Sequence, residues 1–167
     1  YSRQEQGQAA VLKKVQRAGQ MNVEQLRLDL ERDEGCVYEI YLDHLGYPTY
    51  GIGHLVTEAD PEHGQAVGTK ISEDRVRQVF NSDIESVVGD CDRAFDDFAS
   101  LPEGAQLVIA NMMFNLGLPR FNKFTKMIRA INLGDWQSAA DQMIDSRWYQ
   151  QVTARARRLE SVMRGIV

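Results

Sequence analysis

The chain has 167 residues and a mass of 19.0 kDa, enough for one hydrophobic core but too short for two independent domains of usual size. With 43% hydrophobic and 26% charged residues it falls outside the disordered, collagenous and disulfide-scaffold classes, and apolar runs such as 107–110 are far shorter than the roughly 20 residues of a membrane-spanning helix. The net charge of −5 is uneven: residues 1–30 carry 5 basic and 3 acidic groups, 31–100 carry 5 and 16, and 101–167 carry 9 and 5, a field that disfavours nucleic acid as a partner.

Residues 8–18 read as a helix through Leu12, Val15 and Ala18, so 1–21 form a helical extension or linker ahead of a domain over 22–167. Asn22 with Gln25 three residues on predicts a capping box and a helix that stops at Gly35, leaving Glu34 on its last turn. Clustered β-branched and aromatic residues predict a hairpin of strands over 37–43 and 47–55 around His44-Leu45-Gly46, with a third short strand before Lys70. Ser72 predicts a helix N-terminus, and the stripe Val76, Val79, Phe80, Asp83, Val87 carries that helix over 73–88 with Asp83 on its apolar side. Helices follow to the end. Pro102 opens one that closes at Gly117, a second runs over 121–133 to Gly134, Asp135 caps the next and Thr153 the last. The expected class is α+β, mainly α: a small mixed lobe over 22–72, a connecting helix over 73–88 and a helical lobe over 89–167.

The chemistry concentrates between Arg32 and His54. Glu34 comes off a helix end and Asp43 off a hairpin, so the two carboxylates can face each other across a cleft, as a glycosidase needs for one protonated and one ionised group. Asp83, on a stripe facing the interior, needs a partner because a lone buried carboxylate is costly. His54 is the expected one.

The string Asp33-Glu34-Gly35, Tyr-x-Asp at 41–43 and Gly-Tyr-Pro-Thr-x-Gly-Ile-Gly-His at 46–54 resembles the phage-type lysozymes, glycoside hydrolase family 24. Phe80-Asn81-x-Asp83, Asn111-Met112-x-Phe114-Asn115-x-Gly117, Phe121-x-x-Phe124, Gly134-Asp135-Trp136, Ser146-Arg147-Trp148-Tyr149 and Arg155-Ala156-x-Arg158 extend the resemblance over about 22–165. It implies a lysozyme-like fold with a glycan-binding cleft between the lobes, and a muramidase that hydrolyses the β-1,4 bond between N-acetylmuramic acid and N-acetylglucosamine of bacterial peptidoglycan with inversion. It implies Glu34 as acid, Asp43 as water-orienting base and Thr49 as helper, His54, Phe114 and Asn115 as substrate-binding residues, and Asp33, Arg155 and Asp83 as supporting ones. The segment 20–25 is similar to the junction ahead of the lysozyme domain in contractile-tail baseplate proteins, which would make phage tail proteins partners and supports an alternative reading as a tail module with weak or masked activity. The isolated domain is expected to be monomeric and to act on the cell wall in the periplasm, made in the host cytoplasm or carried in the virion. No export signal is visible; the chain opens with Tyr1 and has no apolar leader core, as expected of a processed product or fragment.

Other readings are plainer. His44, His54 and His63 lack a helical ligand spacing, so no metal is expected, and no cofactor. Gly51-Ile52-Gly53 lacks the third glycine of a dinucleotide fingerprint and reads as turn geometry. Trp136, Trp148 and Met112-Met113 sit at core spacing. Cys36 and Cys91 read as free thiols, one isolated disulfide being the alternative. Arg155, Arg157 and Arg158 form by default a solvated face, except that the resemblance brings Arg155 beside the acid. A lytic transglycosylase, with one catalytic Glu and an anhydro product, is the nearest rival chemistry.

Overall fold

The computed structural model describes residues 21–167; the helix expected over 8–18 lies outside them. Asn22 caps α1 (Val23–Glu34) by accepting from the Gln25 N–H at 3.0 Å. The reciprocal half of the expected capping box is absent, because the Gln25 amide donates to Asp29 and the Asn22 N–H to Glu103 in the helical lobe. Glu34 is the last helical residue, and Gly35 ends α1 in a left-handed conformation.

The hairpin forms from β1 (Val37–Leu42) and β2 (Pro48–Gly51), antiparallel with Tyr41 opposite Thr49 and Leu42 opposite Pro48. The second strand expected over 47–55 is broken. Gly51 and Gly53 both take φ of 62°, which turns the chain back so that β3 (His54–Leu55) becomes the third strand, pairing with β2. The strand expected before Lys70 reduces to an isolated bridge between Lys70 and Glu39.

Ser72 caps α2 (Glu73–Ala94), accepting from the Arg75 N–H. The helix continues past residue 88, its expected end, because Cys91 is buried on the same stripe and its carbonyl still accepts from the Phe95 N–H. Its two ends serve two cores. Val76 and Val79 pack with Ile40, Tyr50 and Ile71 beneath the sheet, whereas Phe80, Ile84, Val87, Val88 and Cys91 enter the larger cluster of the helical lobe, to which α1 contributes Leu26 and Leu30. Removing such apolar area from water stabilises by about 25 cal/mol per Å², so α2, with one end in each core, ties the two lobes together.

A 3₁₀ turn (Phe98–Ser100) leads to α3 (Glu103–Leu116), which closes at Gly117 as expected. The single helix expected over 121–133 is instead α4 (Leu118–Phe121) and α5 (Thr125–Asn132). At the break the half-buried Phe124 packs in parallel with Phe121 and edge-on to Trp148. Asp135 caps α6 (Trp136–Ile144). Ser146 caps a five-residue α7 (Arg147–Gln151) too short to read by periodicity. Thr153 does not cap α8 (Thr153–Arg164): it is the first helical residue and its hydroxyl donates to the Gln150 carbonyl. Both thiols are free, and burial pushes that of Cys91 well up. No helix among the described residues is long and apolar enough to cross a membrane.

Candidate active site

Glu34 stands at the exit of α1, where the chain leaves the helical lobe for the hairpin. Its Oε1 accepts from Arg155 Nη1 at 2.6 Å. Arg155 is not on a solvated face: it is 7% exposed, donates from Nε to Asn111 Oδ1 at 2.8 Å and from Nη2 to the Asn111 carbonyl at 3.3 Å. The Asn111 amide donates in turn to Asp33 Oδ2 at 2.9 Å. Arg158 completes the cluster through Asp33, while Arg157 remains exposed as expected. Two carboxylates and two guanidiniums thus neutralise one another between α1, α3 and α8, with the Asn111 amide bridging them, as buried charges must.

Asp43 follows β1 and accepts two turn amides, Leu45 N–H and Tyr47 N–H, both at 2.9 Å on Oδ1, while its own N–H donates to the Tyr47 carbonyl at 2.9 Å. Oδ2 has no hydrogen-bond partner among the described residues. Thr49, buried on β2, donates its hydroxyl proton to the Tyr47 carbonyl at 2.9 Å, so its oxygen presents only lone pairs to any further ligand. Tyr41, opposite Thr49 and two residues before Asp43, has its phenol held above the usual range by burial, with the charges of Glu34 and Asp43 adding to the effect. Tyr41 therefore senses both carboxylates at once.

The Gly51-Ile52-Gly53 turn brings backbone against the acid: a β-carbon at Gly53 would lie 3.0 Å from Glu34 Oε2. His54, next along β3, has both ring nitrogens on carboxylates, Nδ1 on Asp83 and Nε2 on Asp60, each at 2.8 Å. Burial alone would lower its pKa, but the hydrogen bonds and charges of Asp83 and Asp60 override that and raise it. Burial likewise opposes ionisation of Asp60, yet the Thr57 N–H and His54 bring its pKa below the carboxylate norm. Asp83 is 28% exposed at its side chain, so it borders the core more than it enters it. The pair expected from sequence is present; Asp60 was missed, because a carboxylate in an irregular segment carries no periodic signal. Arg75 of α2 anchors the same segment through both oxygens of Glu62, holding the Glu62 carboxyl below its ordinary pKa range.

Phe114 packs against Phe80 at a 6.4 Å ring separation, and Asn115 Oδ1 accepts from Trp148 Nε1 at 2.8 Å. The structure thus groups Asp33, Glu34 and Arg155 in one cluster, Asp43 and Thr49 at one hairpin end, and His54 with Asp83 in a third. Both His54 nitrogens being engaged, its imidazole is tied to the fold. Among the described residues no three ligating side chains gather as a metal site.

The family model for phage lysozyme matches residues 31–166. The central spike protein of the pre-baseplate of Enterobacteria phage T4 is 28% identical over 80% of this chain, which spans only 26% of that protein. A probable T4-type lysozyme of Dictyostelium discoideum is 28% identical over 84% of the chain and 94% of its own length, and an endolysin of Salmonella phage P22 is 27% identical over 69% and 75%. With the family model spanning Glu34, Asp43, Thr49, His54 and every helix from α2 onward, the chain belongs to the phage lysozyme family of glycoside hydrolases.

Proposed function

We propose that this protein is an inverting muramidase that hydrolyses the β-1,4 bond between N-acetylmuramic acid and N-acetylglucosamine in bacterial peptidoglycan. The observation that carries the reading is the opposite treatment of two carboxylates: Glu34 has one oxygen on Arg155 and the other against Gly53, whereas Asp43 is anchored by two turn amides through Oδ1 alone. Glu34 gives its proton to the leaving sugar oxygen from Oε2, since Oε1 is already an acceptor. Asp43 Oδ2 and Thr49 Oγ1 are both acceptors, so together they can take the two protons of one water and leave its lone pair toward the anomeric carbon. Asp43 then accepts the proton as the water attacks. Phe114 and Asn115 are proposed to contact the glycan, with Asp33, Arg155 and Asp83 as supports and His54 acting through the fold.

Clearing of chloroform-treated Gram-negative cells tests this. Wild-type protein is expected to clear them and Glu34→Gln to lose at least about 100-fold in rate, the low end of general-acid catalysis. Released muropeptides should carry a full added water; 1,6-anhydro ends would mean transglycosylation instead. A second reading, a phage tail module with weak activity, is favoured by the similarity to the phage T4 spike protein. Folded protein that fails to clear cells yet binds tail components would support it.

A further inference from the structure

We infer that Asn111 is a positioning residue for the acid, one that decides which oxygen of Glu34 carries the transferable proton. The inference rests on the reading of Glu34 as general acid. Asn111 is 1% exposed, on α3, and is one hydrogen bond away from each end of the buried charge cluster. Its Nδ2 donates to Asp33 and its Oδ1 accepts from Arg155 Nε, so an anion on one side and a cation on the other fix the amide in a single orientation. Its carbonyl accepts from Arg155 Nη2. A guanidinium held at both Nε and Nη2 is fixed in its plane, and the edge left over presents Nη1 to Glu34 Oε1.

The consequence is chemical. Nη1 always carries its protons, so Oε1 can only accept there and the carboxyl proton of the acid form resides on Oε2, the oxygen beside Gly53 and the hairpin. Loosening the Asn111 anchor would let Arg155 swing between the two oxygens and share the proton position between them. That places the acid correctly for only part of the time, and misplacement of a catalytic group by about 1 Å is enough to cost about 100-fold.

An acceptor-for-donor exchange tests the idea. Asn111→Asp keeps the shape but removes the donor to Asp33, and the repulsion between the two carboxylates pushes the oxygen that anchors Arg155 Nε out of place. We expect kcat to fall about tenfold or more with KM within about twofold, and the alkaline limb of the pH–rate profile to move. Asp33→Asn in the same chain restores one donor between the two side chains and is expected to recover most of the loss. A single variant with wild-type kcat and profile, or a double variant no better than the single although equally folded, overturns the proposal. Should either fail to fold, nitrogen-15 NMR of the unmodified protein decides: Arg155 Nε–H should exchange with water far more slowly than that of exposed Arg157, and equal rates refute the anchor. Glu34→Gln, assayed alongside, separates the two levels. If it remains active the acid assignment itself fails, whereas an inactive Glu34→Gln with a fully active Asn111→Asp removes only the role of Asn111.

Discussion

Gly53 lies so close to Glu34 that a β-carbon there would sit 3.0 Å from Oε2 and 3.2 Å from Cβ of the acid, tight enough that the carboxyl would have to give way by a few tenths of an ångström. The same glycine has φ of 62°, where an L-residue is strained by about 1–2 kcal/mol. Gly53→Ala is therefore expected to lower stability by that amount and to displace the carboxyl, cutting kcat/KM by about 100-fold. Gly134→Ala supplies the comparison, since Gly134 has φ of 69° with nothing within 4 Å of the added carbon. It should show the backbone cost in thermal melts and keep its rate.

The Asp43–Thr49 arrangement makes a stereochemical prediction. Proton NMR before mutarotation should find the α-anomer formed first, and no glycosyl-enzyme adduct should accumulate, because an inverting site holds a water where a retaining one has a nucleophile. Thr49→Ala is expected to slow the reaction by about 100-fold or more with stability changed by no more than about 1.5 kcal/mol. An initial β-anomer would make Asp43 the nucleophile.

The His54 clamp ties stability to pH. The pKa of His54 is raised above its ordinary 6.5, so its contribution is complete below that value and lost as pH rises through the folded one. That of Asp60 is lowered from 3.8, so its contribution is complete above that value and lost as pH falls through the folded one. The clamp is thus strongest between about pH 4 and 6.5. Asp83→Asn should cost about 1.5–3 kcal/mol within that window and less at pH 8, as hydrogen bonds to charged groups do. Melts at several pH values check it; a loss equal at every pH would contradict the pairing.

Arg75→Met should be among the more damaging surface-helix changes, because it strands Glu62, whose side chain is 8% exposed. Removing one partner of a buried pair costs about 3–5 kcal/mol. The lowered pKa of Glu62, ordinarily 4.5, means the pair's contribution is present above that value and fades as pH falls below it. The penalty should therefore shrink in acid, and Glu62→Gln in the Arg75→Met background should recover part of it at pH 7, both read by chemical denaturation.

Much of this protein follows from local order in the chain. Helix ends at Asn22, Ser72, Gly117 and Asp135 are legible because a cap satisfies backbone groups within a few residues of itself. Asp43 and Thr49 are legible together because one hairpin carries both, and strand alternation with a short turn dictates which residues oppose. Tertiary structure decided the remainder. The break between α4 and α5 falls where Phe124 packs edge-on to Trp148, a partner from α7. Arg155 reaches Glu34 from 121 residues away, and its burial depends on Asn111 from a third helix, a convergence with no spacing to reveal it. Asp60 joins His54 from a segment without periodicity, and Gly53 meets Glu34 because two lobes close on each other. Backbone hydrogen bonding is satisfied within a few residues and so leaves its mark in sequence, whereas a buried charge is neutralised by whichever opposite charge the folded chain brings near, at any separation.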